Sequence, residues 1–179
     1  MMGIRTVNRA QPAAWLKKCA PQLKPGGQLL DLASGNGRHA AWLLQAGHRV
    51  CAVDIDLTGI AHLRRQKRLR CLEHDLETSA WPFAASTFDG IIVTNYLHRP
   101  LFPALADSLR PGGLLIYDTF AIGNEAYGRP SNPAFLLRPG ELSAVFSGLL
   151  RILDYSHGLV QQPRPAIRQS LLAEKNPRS

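Results

Sequence analysis

The stretch DLASGNGRHAAWL, residues 31–43, decides the reading of this chain. It sets an aspartate ahead of two glycines one residue apart, and then apolar residues at helical spacing, Ala40 and Leu43, continued by Leu44. The run Gly35-Asn36-Gly37-Arg38-His39-Ala40 satisfies G-x-G-x-x-G/A after the strand pattern QLLDLA and before a helix. In that context a glycine turn brings backbone close to a nucleotide. Alone, the same pattern also fits a tight strand-to-helix turn that needs glycine for its geometry.

Working outward, strand and helix patterns alternate, as in a parallel sheet wrapped by crossover helices. A helix over residues 12–20 stops at LKPGG, and the helix beginning near Gly37 ends at Gly47 as a left-handed cap. HRVCAVD, LRCLEHD and FDGIIVTN read as the second, third and fourth strands, with a helix over 57–67 between the second and third. A helix over 103–109 ends at LRPGG before the fifth strand, LLIYDTF. A helix near 141–146 precedes two further strands, LLRILDYSHGLV and AIRQSLLAEK, joined around QQPRP. The expected fold is α/β: a doubly wound, Rossmann-like sheet of seven mostly parallel strands with helices on both faces and the last strand antiparallel. A length of 179 residues suits one domain, 1–179.

The aspartate ahead of the glycines selects among nucleotides. A carboxylate at this turn opposes the pyrophosphate of NAD and favours a cofactor with an ammonium, a sulfonium and no phosphate, which is S-adenosylmethionine. Strand two ends in Asp54, strand three in Asp75, so Asp31, Asp54 and Asp75 recur at intervals of 23 and 21 residues, with Asn95 20 further on. In a doubly wound sheet these strand ends converge on one crevice, where they offer acceptors to an ammonium, a ribose diol and an adenine amino group. Each is also a residue type that caps a helix after a strand, and one carboxylate can both cap and bind.

These segments resemble the class I S-adenosylmethionine-dependent methyltransferases over about residues 28–120. LLDLASGNGRHAAWL resembles their first motif, CAVDID their ribose motif, CLEHD their adenine motif, and FDGIIVTNYLH with LRPGGLLIYDTF their fourth and fifth strands. The chain is most similar to small-molecule methyltransferases of the tellurite-resistance type. Ala33 stands where the family has the first of three alternate glycines. The resemblance implies that Ala33, Gly35 and Gly37 wrap the methionine part, with Asp31 near its amino group. It further implies that Asp54 and Ile55, or alternatively Asp56, take the ribose, that Asp75 and Leu76 face the adenine, and that Asn95 lies beside the methyl donor.

On the acceptor side, Tyr96, His98 and Arg99 follow strand four in NYLHRP, with Tyr96 and His98 read as catalytic, shaping and positioning the acceptor. The family's adenine and glutamine methyltransferases carry an N-P-P-Y type motif here, and NYLH departs from it. Tyr127, Arg129 and Arg138 flank the Gly/Pro/Asn-rich segment 121–134, whose composition suits a binding loop, and Arg side chains give paired donors to a carboxylate or phosphate. The leading function is methyl transfer to a small molecule. An RNA methyltransferase, a cofactor-binding module without turnover and a nicotinamide-dependent oxidoreductase are the alternatives.

Twenty-one Lys and Arg against 13 Asp and Glu give a formal charge of +8, and the densest basic run is RRQKRLR, residues 64–70. It is read as a solvated helix face ahead of an RNA contact, because no aromatic residues interleave it. Cys19, Cys51 and Cys71 show neither a disulfide framework nor metal-ligand spacing. No metal is expected. The opening MMGIRTVNRAQPAAWLKK has no signal-peptide core and no apolar run is long enough to cross a bilayer, so the expected compartment is the cytoplasm, away from membranes.

Overall fold

The computed structural model describes residues 11–177, so the first ten residues of the opening stretch lie outside the described residues. The chain runs through β1 (Gln28–Leu32), β2 (Arg49–Asp54), β3 (Leu69–Glu73), β4 (Phe88–Thr94), β5 (Leu109–Phe120), β6 (Arg151–Val160) and β7 (Ala166–Glu174). The helices are α1 (Ala14–Cys19), α2 (Arg38–Gln45), α3 (Phe102–Ser108) and α4 (Glu141–Phe146), with several short 3-10 turns between. The strands form one sheet in the order β3-β2-β1-β4-β5-β7-β6. The first five run parallel, and β7 runs antiparallel to both β5 and β6. This is the doubly wound, seven-stranded sheet expected, and its order reverses between β1 and β4, where ligand crevices open.

The strands at the centre are mostly apolar on both faces, because both are covered. Leu16 and Cys19 of α1, and Ala40, Leu43 and Leu44 of α2, pack with Val50, Ala52 and Ile92 on one face. Phe102 and Leu105 of α3, with Leu142 and Phe146 of α4, pack with Leu30, Val53, Ile91 and Tyr117 on the other. Gly47 takes φ +98 after α2, the expected left-handed stop.

Two connections differ from expectation. Residues 57–67 do not form an α-helix: Thr58–Leu63 is a 3-10 turn and the chain then runs through turns into β3. The cause is local, since Asp56 accepts hydrogen bonds from both the Thr58 amide (2.8 Å) and its hydroxyl (3.0 Å), and Gly59 follows. These bonds also hold the Asp56 carboxyl below its ordinary range. The basic run therefore lies on turns and the start of β3, not on a helix face. The second difference is at LRPGG, where β5 already begins at Leu109: Leu109 pairs with Phe88, and the register then jumps to Gly90 opposite Leu114.

The long segment after β5 is pinned down. Arg99 grips Glu141 through two bonds of 2.6 and 3.0 Å and donates to the carbonyls of Ala134 and Leu136. The fully buried Gln169 of β7 accepts from the Leu142 amide and donates to the Arg138 carbonyl, which ties α4 to the sheet. Burial works to raise the Glu141 pKa, but Arg99 and the Arg138 amide outweigh it and hold the carboxyl low.

Glu141→Gln should cost about 2 kcal/mol, since it leaves a partly buried guanidinium short of its counter-charge. A depressed native pKa means that the clamp contributes fully above the ordinary glutamate value of about 4.3 and is lost as pH falls through the lower native value. Thermal melts of the two proteins should therefore converge towards acid; a constant gap would show that the carboxylate charge is immaterial.

Candidate active site

The glycine turn is built from three left-handed residues. Ala33, Gly35 and Gly37 have φ of +52, +53 and +72. At Gly37 a Cβ would sit 2.5 Å from Ile60, so glycine is demanded there by packing as well as by backbone. At Gly35 a Cβ would meet nothing within 4 Å, which leaves open space above the turn. Gly59 seats the 3-10 turn against the Gly35 carbonyl and Asn36, at 3.0 and 3.1 Å from its notional Cβ.

The strand-end acids meet this turn in different ways. Asp54 accepts from the Gly35 amide at 2.7 Å and from the Asp56 amide at 3.2 Å, one bond on each oxygen, so each keeps acceptor capacity for a diol. Ile55 beside it is 64% exposed, an apolar surface at the rim. Asp31 is buried: its Oδ2 accepts from the Ala40 amide at 3.0 Å, supplying the cap that Gly37, the N-cap of α2, has no side chain to give. His39 Nδ1 lies 3.8 Å from its other oxygen. Asp75 accepts from the amides of Glu77 and Thr78 and the Thr78 hydroxyl, bonds that hold its carboxyl low, while Leu76 is buried in the core.

Asn95 follows β4 in a left-handed conformation, φ +58, with its amide donating to the Asp118 carbonyl at 3.0 Å. A residue that sequence reading missed holds its side chain. Arg168 of β7 bridges Asp118 through bonds of 2.9 and 3.1 Å, reaches Asn95 Oδ1 at 2.7 Å and lies 4.4 Å over the Phe120 ring. Ser170 donates its hydroxyl to the same carboxylate. Period-two alternation shows only that Arg168 and Ser170 share one face of a strand, and the pairing of β7 with β5 is what brings that face to Asp118.

Beside Asn95 lies a cavity of about 280 Å³, walled by Tyr96, Leu97, Phe120, Pro130 and Phe135 and edged by Glu77. Burial, reinforced by the charges of Glu77, Asp75 and Asp54, pushes the Tyr96 phenol up to about 12, so it stays neutral, and its buried hydroxyl has no hydrogen-bond partner among the described residues. His98 is half-buried at the start of the next 3-10 turn. Arg99 is committed to Glu141 and the loop carbonyls, an anchor of the loop and not a free acceptor contact. Tyr127 and Arg129 are exposed on that loop, and Arg138 is 75% exposed at the side chain, with its Nε 4.0 Å from Glu141.

The donor set fits a sulfonium nucleoside. The open space over Gly35, acceptors still available on Asp54 and a run of acids along one edge suit a cationic, phosphate-free ligand. Among the described residues no cluster of His, Cys, Asp and Glu is placed to hold a metal, and no helix is long and apolar enough to cross a membrane.

A sheet reversing beside a glycine turn, with carboxylates at successive strand ends, defines a nucleoside-binding α/β protein. The family model described as "Methyltransferase domain" matches residues 29–113. That match spans a little under half of the chain, and the sheet has the fold of the S-adenosylmethionine-dependent methyltransferases. It is 36% identical over 105 residues to the ribosomal protein L11 methyltransferase of Thermus thermophilus, a match over 55% of this chain that spans 40% of the relative's length. Among solved structures it is similar to TehB from Haemophilus influenzae, with TM-score 0.74 and 19% identity over 92% of this chain and 63% of that one. It is also similar to the Burkholderia thailandensis 1,6-didemethyltoxoflavin-N1-methyltransferase, solved with 1,6-didemethyltoxoflavin and S-adenosylhomocysteine, with TM-score 0.66 and 21% identity over 91% and 79% of the two chains.

Two changes at the turn should move in opposite directions. Ala33→Gly relieves a left-handed alanine, worth about 1–2 kcal/mol, against about 0.4–1 kcal/mol of added unfolded-state entropy, and should raise the melting point slightly. Gly37→Ala should lower it and weaken S-adenosylhomocysteine binding by calorimetry at least tenfold; retained affinity would show that the turn does not shape the site.

Arg168→Met strips Asp118 of its counter-charge and should cost about 3 kcal/mol. Arg168→Lys keeps the charge but loses the fork, and should recover part of the stability while kcat stays low. Full kcat in the lysine variant would deny Asn95 any dependence on the guanidinium.

Proposed function

We propose that this chain, as one domain, transfers the sulfonium methyl of S-adenosylmethionine to a small-molecule acceptor. The observation that carries the reading is the cavity beside Asn95: at about 280 Å³ it is near the lower end of small-ligand sites, and its walls are mostly apolar. In the proposed arrangement Asp54 and Ile55 take the ribose, Asp75 and Leu76 border the adenine, and Asp31 with Ala33, Gly35 and Gly37 frames the methionine end. Bound S-adenosylmethionine supplies an electrophilic methyl on a good leaving group. The chain's own task is then alignment, and holding two reactants in line is worth several kcal/mol.

Tyr96, on the cavity wall, is the proposed residue that shapes and positions the acceptor, and His98 is the proposed proton acceptor for a hydroxyl or thiol nucleophile. Tyr127, Arg129 and Arg138, exposed on and after the 121–134 segment, are the proposed contacts to an anionic or planar acceptor. The toxoflavin enzyme among the structural neighbours is named for a small-molecule substrate, which supports this class. Free thiols at Cys19, Cys51 and Cys71, the first two pushed up to about 11 by burial, support a reducing, cytoplasmic compartment.

Incubation of the protein with methyl-tritiated cofactor and fractionated cell extract tests the acceptor class. Label should enter the acid-soluble small-molecule fraction; label confined to RNA or protein overturns the reading. Phe135→Trp, which fills the cavity, should raise the acceptor KM and leave cofactor affinity unchanged.

A further inference from the structure

A second concavity lies at the opposite edge of the sheet, where the parallel strands begin. It measures about 460 Å³ and is lined by Arg49, Lys67, Arg68, Arg70 and Arg110, with Phe83 on its wall and no acidic side chain in the lining. Its origin is architectural. A crossover between parallel strands ordinarily places a helix over the sheet, yet the connection from β3 to β4 contains none. Leu76, Trp81 and Phe83 of that connection pack on the core instead. The lower ends of β2 and β3 on this face are left without a helix, and β3 is only partly buried.

The cations at this edge are largely uncompensated. Arg110 pairs with Asp89, and Arg68 donates to the Leu44 carbonyl. Arg49, Lys67 and Arg70 are exposed and, among the described residues, enter no ion pair or side-chain hydrogen bond. Arg49 and Arg70 lie on one face of neighbouring strands, since Cys51 stands opposite Arg70 in the register. The acids collect at the other edge, where Asp54, Asp56 and Asp75 end or follow their strands. The molecule is therefore polarised along its strands, with about 17 Å between Arg49 and Asp54 at 3.3 Å per residue.

We infer that this groove binds the phosphate backbone of single-stranded nucleic acid. Guanidinium groups match phosphate oxygens in pairs, and a row of cations with an aromatic ring beside it is the pattern that tracks a sugar-phosphate chain and stacks a base. Phe83 supplies the ring that the basic run itself lacks. The strand-length separation from the acidic edge makes the groove an anchor, distinct from the methyl-transfer site and independent of which acceptor that site takes.

Fluorescence anisotropy with a labelled oligouridylate, at low salt and then at rising salt, tests the inference on the full chain. Binding should weaken steeply with salt, because each neutralised phosphate of a single strand releases counterions. The triple variant Arg49→Gln, Lys67→Gln, Arg70→Gln should lose tenfold or more in affinity and show a shallower salt slope, with S-adenosylhomocysteine affinity unchanged as evidence of an intact fold. Phe83→Leu should weaken binding severalfold while keeping the salt slope. No binding at low salt, equal affinity in the triple variant, or equally tight binding of polyglutamate would each overturn it.

Discussion

The left-handed turn between β1 and α2 is the constraint on which the upper edge of this protein depends. Three residues with positive φ reverse the chain within five positions, and three separate contacts keep them there. The Asp54 carboxylate takes the Gly35 amide, Ile60 packs where a Gly37 side chain would be, and Asp31 caps the helix that the turn launches. Each contact comes from a different segment, so the turn is also the joint that locks β1, β2 and the 57–63 segment together. The open space above Gly35 is a by-product of this bracing, and it is what a nucleoside ligand needs.

The successive carboxylates share an edge but divide the labour. Asp31 is spent on the helix terminus and Asp75 largely on its own turn, while Asp54 retains unused acceptor capacity at the surface. Each acid thus has a different share of its acceptor capacity committed within the protein. On the far side of the crevice Arg168 performs the matching task for Asn95. It neutralises the nearly buried Asp118 and fixes the amide beside the cavity.

On the β2 and β3 side the two ends of the sheet carry opposite charge, with Arg49 and Arg70 near the strand starts and Asp54, Asp56 and Asp75 at or beyond the strand finishes. A ligand cationic at sulfur and nitrogen is favoured at the finish, and polyanions at the start. The same net charge of +8 that said little by itself becomes informative once its distribution along the strands is known.

Much of this was legible in the sequence. The alternation of strand and helix patterns, the glycines of the turn, the acids at 23- and 21-residue spacing and the antiparallel closing strand each depend on local pattern, and local pattern is written in the order of residues. Which atoms those residues spend on one another was decided only by tertiary structure. Arg99 looked like an acceptor contact until Glu141, 42 positions away, claimed it, and Arg168 had no visible role until β7 paired with β5. Residues 57–67 had the apolar spacing of a helix, but the Asp56 turn, and a Gly59 that lets the segment lie close against the Gly35–Asn36 backbone, go with a tighter coil. Periodicity records which way side chains face; only the folded chain determines what they meet, because contacts between distant segments depend on how whole elements pack.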